Sequence, residues 1–96
     1  MAATYHESGL SKDAQNIHRA LASLGEELEA IDWYNQRVDV SDDESLKALL
    51  AHNRDEEVEH AVMVLEWLRR RMPAFDENMR KYLFTSEPIT SVEKRK

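Results

Sequence analysis

The sequence predicts an all-α protein: an antiparallel hairpin of two long helices, followed by a short third helix. Three observations predict this class. Gly and Pro occur only twice each in 96 residues, which leaves little turn chemistry for a sheet. Leu, Ala, Glu, Lys and Arg, which all have high helix propensity, are abundant. Two long stretches carry apolar residues at alternating steps of three and four, the spacing of an amphipathic helix.

The first apolar stripe predicts a helix over about residues 10–38. The stripe is interrupted at Asn35 and consists of Leu10, Ala14, Ile17, Leu21, Leu24, Leu28, Ile31 and Val38. A turn is expected at Asp39 and Val40. The next four residues, Ser41-Asp42-Asp43-Glu44, match a capping box, in which the Ser hydroxyl and the Glu carboxylate bond the free amides of a new helix.

The second helix is predicted over about residues 42–71. It stops at Met72-Pro73, because the residue before a proline avoids the α conformation. Pro73 suits the first turn of the short third helix. The tail from Thr85 is polar, so we expect it to be irregular beyond Pro88, with residues 1–9 and 88–96 flexible.

Length and charge restrict the possible functions. Residues 1–96 make a single domain whose core would be marginal in one copy, so self-association is expected. The absence of Cys excludes disulfides and thiolate metal sites. A net charge of -6 disfavours nucleic acid as a partner. No apolar run approaches the length of a membrane span or signal peptide, so we expect a soluble cytoplasmic protein.

The second stripe contains two residues that can bind metal. Glu57 and His60 lie three positions apart on the face otherwise formed by Leu46, Leu49, Leu50, Val64 and Trp67, so both are expected to point into the core. A buried carboxylate needs a compensating partner or a metal. Glu-x-x-His is also the spacing with which di-iron helical bundles hold a metal from one helix.

Helix 1 offers a matching carboxylate in Glu27. Counted from a turn near residue 40, Glu27 and Glu57 lie roughly 20 and 25 Å along their helices, which places them at similar levels. The chain then carries half of the ligand set of a ferritin-like four-helix bundle, and a second copy related by a two-fold axis would complete it. Four carboxylates would balance two Fe²⁺, although Mn²⁺ accepts the same ligands.

An isolated Glu-x-x-His pair is also common on the solvated face of an acidic helix, so the residues alone leave both interpretations open. Tyr34 lies on the face of Glu27 and is either a hydrogen-bond partner of a ligand or an interface tyrosine. The face of Glu26, Glu29 and Trp33 is either a cation-attracting vestibule or a solvated patch. His52 and Glu56 are interpreted as a surface salt bridge. His6 and His18 have no assigned role.

Two other functions fit the same residues. One is a different di-iron or di-manganese enzyme, such as a peroxide-consuming relative of rubrerythrin. The other is a non-catalytic helical interaction module in which Glu57 and His60 make a polar interface contact.

Long blocks of the sequence resemble the encapsulated ferritins. They are Glu26-Glu27-Leu28-Glu29-Ala30-Ile31-Asp32-Trp33-Tyr34, His52-Asn53-Arg54-Asp55-Glu56-Glu57-Val58-Glu59-His60, Leu65-Glu66-Trp67-Leu68-Arg69-Arg70, Tyr82-Leu83-Phe84-Thr85 and Pro88-Ile89-Thr90. Together they cover nearly everything after residue 15. The resemblance implies a ferroxidase that oxidises Fe(II) for iron storage inside an encapsulin nanocompartment.

The resemblance also implies an assembly and a set of site residues. The assembly is a ring-like homodecamer of five dimers, with a di-iron centre at one kind of dimer interface. Glu27, Glu57 and His60 of both chains would be the iron ligands, with Tyr34 close by. Glu26, Glu29 and Trp33 would attract metal, and Ca²⁺ or another divalent cation would bind there, with Trp33 as a neighbour and not a ligand.

One feature departs from the family pattern. Members usually continue through a polar linker to a short apolar peptide that docks inside the shell, whereas this sequence stops at Val92-Glu93-Lys94-Arg95-Lys96. We therefore expect either a shortened chain or a protein without that targeting peptide.

Overall fold

The computed structural model describes residues 5–95, which form four helices and no strand. The helices are α1 (Lys12–Val40), α2 (Glu44–Arg71), α3 (Pro73–Tyr82) and α4 (Ile89–Glu93). Helices α1 and α2 pack against each other along the hairpin, α3 packs on α2, and α4 packs on α3. The predicted all-α class and the hairpin are confirmed, with a fourth short helix that the sequence did not predict.

The junction between α1 and α2 differs from the predicted capping box. Helix α1 runs two residues further than expected, so Ser41 is its C-cap and donates its backbone N–H to the Arg37 carbonyl at 3.1 Å. Asp43 is the N-cap of α2, and its Oδ1 accepts the Leu46 N–H at 2.9 Å. An Asp caps a helix as well as a Ser does, and Ser41 is already used to end α1. The predicted cap at Ser41 is therefore wrong by two residues.

Arginine side chains hold α3 against α2. As predicted, the second helix ends at Met72 and Pro73 opens the third. The Arg69 guanidinium donates to Glu66, at 2.7 Å from Nε, and to Asp76 of α3. Arg80 donates to the same Asp76 carboxylate at 3.0 Å. These bonds fix α3 to the end of α2, and within residues 5–95 α3 makes no packing contact with α1.

The polar tail contains more structure than expected. Ile89–Glu93 form a helical turn, in which the Val92 side chain is fully buried. The Lys81 ammonium donates to the Glu93 carbonyl at 3.0 Å, which ties the turn to α3. The expectation of an irregular chain here is wrong, because a single buried Val is enough to dock one helical turn. The expected flexibility of residues 1–4 and 96 lies outside the described residues.

One copy of the chain buries few apolar side chains. In residues 5–95 the buried hydrophobic residues are Ala61, Leu68 and Val92. Large apolar side chains along both long helices stay exposed, including Leu21, Leu28, Leu46, Leu49, Val58, Val62 and Met63. Exposed apolar surface of this extent usually marks an interaction site. None of the helices between residues 5 and 95 is long and apolar enough to cross a membrane.

Candidate metal centre

The hairpin brings Glu27, Glu57 and His60 together at its middle. Glu57 and His60 share one face of α2 because they are three residues apart, and Glu27 faces them from α1. The His60 Nδ1 atom lies 3.7 Å from a Glu27 carboxylate oxygen and 3.8 Å from a Glu57 oxygen. One ligand atom from each residue lies within 4.8 Å of the other two. The predicted levels of Glu27 and Glu57 along their helices are confirmed by this geometry.

The two carboxylates are close enough to perturb each other. A hydrogen bond shared with Glu57 raises the pKa of Glu27, and partial burial and the Glu57 charge raise it further. The His60 imidazolium opposes this rise, while the nearby Glu26 charge adds to it. The proximity of a second carboxylate thus makes ionisation of Glu27 less favourable, since like charges at close range repel.

The three residues are less buried than their place on the apolar stripe predicts. The side chains of Glu27 and Glu57 are 24 % and 26 % exposed, and that of His60 is 47 % exposed. The expectation that Glu57 and His60 lie in the core is wrong for one copy, because two packed helices do not enclose a side chain on every side and this flank of the hairpin is open. The three potential metal-ligand side chains consequently face outward from the hairpin.

The donor atoms fit a small divalent cation. Two ligands on opposite sides of a metal that binds at about 2.1 Å are about 4.2 Å apart, and the three atoms here lie within 4.8 Å of one another. The His60 Nδ1 atom, at 3.7 and 3.8 Å from the two carboxylates, already lies within that span. Two carboxylates and one imidazole favour Fe²⁺, Mn²⁺ or Zn²⁺, and a bound cation would relieve the repulsion between the two carboxylates.

The other predicted site residues are not part of this group of potential metal ligands. Tyr34 is half-buried on α1, and the Arg37 guanidinium lies 5.5 Å from its ring centroid. Glu26, Glu29 and Trp33 are exposed on α1. In the described part of the chain, Glu27, Glu57 and His60 are the one group of three with metal-ligand spacing. The roles of Tyr34 and of the vestibule remain predictions.

The remaining histidines and the interrupted stripe have structural explanations. His52 and Glu56 form the expected exposed pair, 3.4 Å apart. His18 packs edge-on against Tyr5, with ring centroids 4.8 Å apart, and His6 is exposed. Sequence reasoning gave no role to Asn35, whose side-chain oxygen accepts a hydrogen bond from Arg54 of α2 at 3.1 Å.

A sequence model of the EncFtn-like family matches residues 2–86. The chain belongs to the EncFtn-like family. This confirms the resemblance found in the sequence and places the Glu27, Glu57 and His60 cluster within the matched region.

Individual members of the family and related proteins agree with this assignment. A ferritin-like protein of Thermotoga maritima is 56% identical over 95 residues, covering 97% of this chain and 83% of the relative. An encapsulated ferritin-like protein of Rhodospirillum rubrum is 60% identical over 84 residues, covering 88% of this chain and 60% of the relative. A shorter match of 47 residues, 45% identical, covers 49% of this chain and 36% of the encapsulin nanocompartment cargo protein EncC of Myxococcus xanthus.

The fold is shared with an experimentally solved protein. A crystal structure of a protein from Nitrosomonas europaea superposes with a TM-score of 0.85 at 59% identity, covering 88% of this chain and 96% of that one. At this identity the two chains share the EncFtn-like arrangement of two long packed helices and shorter ones.

Proposed function

We propose that this protein is a ferroxidase that oxidises Fe(II) to Fe(III) at a di-iron site formed between two copies of the chain. The observation that carries the proposal is the outward-facing cluster of Glu27, Glu57 and His60, whose ligand atoms lie within 4.8 Å of one another. Family membership supports an iron-related role, because two of the relatives are ferritin-like proteins by name.

A second copy would complete the ligand set. Two chains related by a two-fold axis supply four Glu and two His, the inventory of a carboxylate-bridged di-iron bundle. The flank that carries His60 also exposes apolar side chains, since Leu46, Leu49 and Met63 are all exposed there. A partner that covers this flank would bury these side chains and enclose the two metals in the same step.

Each residue has a role in the proposed reaction. Glu27 and Glu57 bind and bridge two substrate Fe²⁺ ions, and each His60 binds one of them. Two Fe²⁺ together would lose two electrons. With two protons from solvent, these would reduce O₂ to hydrogen peroxide, or hydrogen peroxide to two waters. Tyr34 would hydrogen-bond a ligand. Glu26 and Glu29 would attract divalent cations such as Fe²⁺ or Ca²⁺ beside Trp33.

The proposed product is Fe³⁺ that is stored inside an encapsulin shell, with the protein assembled as a decamer of five dimers. The names of the Rhodospirillum rubrum and Myxococcus xanthus relatives describe encapsulated proteins. The chain spans 60% and 36% of those two proteins. Cargo loading therefore needs its own test, namely co-purification of this chain with a co-expressed encapsulin.

The central test is iron oxidation by substituted proteins. We expect Glu57→Ala and His60→Ala each to reduce the initial rate of Fe²⁺ oxidation by about a hundredfold or more, because a ligand of both metals is lost. The measurement is absorbance of Fe³⁺ after anaerobic loading and exposure to O₂. Glu59→Ala is the matched control, since Glu59 is an exposed carboxylate of the same helix. Wild-type rates in both ligand variants would refute the proposal.

The same preparations distinguish the peroxide-consuming alternative. Metal content of protein purified without chelators first establishes that a metal site exists. Steady-state turnover of hydrogen peroxide that exceeds the iron present would then favour a peroxidase over a ferroxidase.

A further inference from the structure

One hydrogen bond between side chains joins the two long helices on the loop side of the candidate metal centre, where the loop is residues 41–43. The Arg54 Nη1 atom of α2 donates to the Asn35 Oδ1 atom of α1 at 3.1 Å. Outside the metal centre it is the one side-chain hydrogen bond between α1 and α2 among residues 5–95. Asn35 interrupts the apolar stripe of α1, so the interruption provides a polar contact between the helices.

The Arg54 side chain is oriented for this contact. Its Nε atom donates to the Asp55 carboxylate at 3.1 Å, which leaves Nη1 for Asn35. The side chain is 29% exposed, so its aliphatic part lies against the hairpin. Asn35 and Arg54 lie about 8 and 15 Å from the loop, and helical side chains lean towards the N-terminus of their helix. Because the helices are antiparallel, the two side chains lean towards each other.

Apolar packing is thin between the loop and the metal centre. No side chain of α1, residues 12–40, is buried. The buried residues of α2 are Ala61 and Leu68, which lie beyond the metal centre as seen from the loop. On the loop side, Leu46 and Leu49 are exposed. Apolar contacts therefore define the rotation of the two helices only weakly in this half of the hairpin.

The loop and the hydrogen bond constrain different movements. Since only residues 41–43 separate α1 from α2, the loop fixes how far Glu27 and Glu57 lie along their helices. A short loop does not fix the rotation of either helix about its own axis. The contact between Arg54 and Asn35 does, because it joins one face of α2 to one face of α1 about one turn from Glu57.

Helix rotation matters because the ligand atoms lie far from the helix axes. A side-chain atom about 5 Å from its axis moves about 2 Å when the helix turns by about 20°. That displacement is about the length of a metal–ligand bond, whereas the ligand atoms of Glu27, Glu57 and His60 lie within 4.8 Å of one another. A misplacement of about 1 Å is enough to cost about a hundredfold in rate.

Taking this cluster as the metal site of the proposed function, we propose that Asn35 and Arg54 are positioning residues. Their hydrogen bond sets the rotation of α1 against α2 at which Glu27 faces Glu57 and His60. They act through the helices and not as ligands. A single polar residue in a coiled coil fixes in a similar way how two helices meet.

The charge of Arg54 predicts the opposite effect on metal binding. A cation one turn from the ligands repels an incoming divalent ion. If Arg54 acted through its charge, its removal would strengthen metal binding. If Arg54 positions the helices, its removal weakens metal binding. The sign of the change therefore separates positioning from electrostatics.

The test is Co²⁺ binding to the full chain, followed by visible absorption, which gives the dissociation constant and reports the coordination geometry. Asn35→Leu keeps the approximate shape of the side chain but removes the acceptor oxygen. We expect about tenfold weaker Co²⁺ binding and altered absorption bands. The melting temperature without metal should be unchanged or higher, because Leu has a higher helix propensity than Asn and continues the apolar stripe.

Further variants isolate the hydrogen bond. Arg54→Met removes the guanidinium and should weaken Co²⁺ binding by a similar factor. The double variant should bind no more weakly than either single variant, because both changes break the same bond. Asn35→Asp keeps an acceptor oxygen and should bind like the wild type. Gln36→Leu is the matched control, since it makes the same kind of change at an exposed neighbour of Asn35, and it should leave the affinity unchanged.

The proposal is wrong if Asn35→Leu keeps the wild-type affinity and spectrum, or if Arg54→Met binds Co²⁺ more tightly. It is also wrong if Asn35→Asp or Gln36→Leu binds as weakly as Asn35→Leu.

Iron oxidation on the same samples distinguishes this role from the ferroxidase proposal. If the wild type binds Co²⁺ but does not oxidise Fe²⁺, and Asn35→Leu binds Co²⁺ more weakly, the positioning role stands and the ferroxidase proposal falls. If the wild type oxidises Fe²⁺ and Asn35→Leu binds Co²⁺ normally, the reverse holds. A wild type that binds no Co²⁺ refutes both.

Discussion

The middle of the hairpin and the corner between α2 and α3 both collect charged side chains, but they balance those charges differently. At the corner, Arg69 and Arg70 hydrogen-bond Glu66 and lower its pKa to about 2. Arg80 and Arg69 likewise lower the pKa of Asp76. At the middle of the hairpin, Glu27 hydrogen-bonds Glu57, and its pKa is raised.

This difference in charge balance shows which of the two clusters has carboxylates without a full complement of cationic partners. Both carboxylates of the corner are paired with arginines of the same chain, so the corner acts as a structural clamp. The hairpin cluster has two carboxylates against one imidazole, so it is left with an excess of negative charge. Opposite pKa shifts in two acidic clusters of one small chain thus separate a fold-stabilising site from a candidate ligand-binding site.

The largest expected effect is stabilisation by metal. A divalent ion at one hundred times its dissociation constant adds about 2.7 kcal/mol, which for a domain of this size raises the melting temperature by roughly 10–20 °C. Differential scanning calorimetry with and without Mn²⁺ measures this shift in melting temperature. Mn²⁺ is used in place of Fe²⁺ because O₂ oxidises it much less readily. Glu57→Gln should abolish it, because one of the two carboxylate ligands is lost.

Glu66→Gln at the corner is the matched control for that experiment. It removes a carboxylate from the same helix but leaves the hairpin cluster intact, so the metal-induced shift should persist. An equal loss of the shift in both variants would mean that metal binds to acidic surface in general.

The acid stability of the corner is the next prediction. The pKa of Glu66 falls from an ordinary value of 4.5 to about 2 in the folded chain. A depressed carboxylate pKa contributes stability that is complete above the unfolded value and is lost as pH falls through the folded value. The urea midpoint should therefore decrease between pH 4.5 and pH 2, and Glu66→Gln should make this decrease smaller.

Glu59→Gln provides the comparison for the pH series, since Glu59 is exposed and belongs to none of the ion pairs among residues 5–95. The urea midpoint of Glu59→Gln should decrease between pH 4.5 and pH 2 as much as that of the wild type. If Glu66→Gln and Glu59→Gln behave alike, the arginine clamp contributes no measurable acid-labile stability.

The smallest effect concerns a carboxylate that is balanced by backbone amides. The Leu46 N–H and the Ser45 hydroxyl lower the pKa of Asp43, as expected of an N-cap. Asp43→Ala should lower the melting temperature by a few degrees, with the free Leu46 amide as the cause. Ser41→Ala should lower the melting temperature by less. A larger decrease for Ser41→Ala than for Asp43→Ala would support Ser41 as the N-cap, as the sequence predicted.

The hairpin and its central cluster could be predicted because both follow from spacing along helices. Apolar steps of three and four fix the two helices, Pro73 fixes their end, and a count of residues from the turn places Glu27 opposite Glu57. Recognisable sequence blocks then identify the family. None of these steps requires knowledge of contacts between side chains that are distant in the sequence.

The remaining features depend on contacts between residues of different helices, and the sequence did not predict them. Arg69 pairs with Asp76 across a helix boundary, and Val92 is buried only because α3 offers it a surface. The exposure of His60 reflects a hairpin of only two long helices, and a stripe of apolar residues does not reveal how completely its neighbours are covered. The left-handed conformation of Phe84, with a φ of 62°, has no marker in its own residue type.

Under the proposed function, the exposure of His60 has a consequence for how the protein would select iron over other metals. Before two chains meet, its imidazole faces water and accepts whichever transition ion arrives. Ligand affinity for such ions rises from Mn²⁺ and Fe²⁺ towards Cu²⁺ and Zn²⁺, so a lone chain discriminates against iron. Mismetallation is then avoided by geometry and supply, and expression in zinc-rich medium should yield protein carrying the wrong ion.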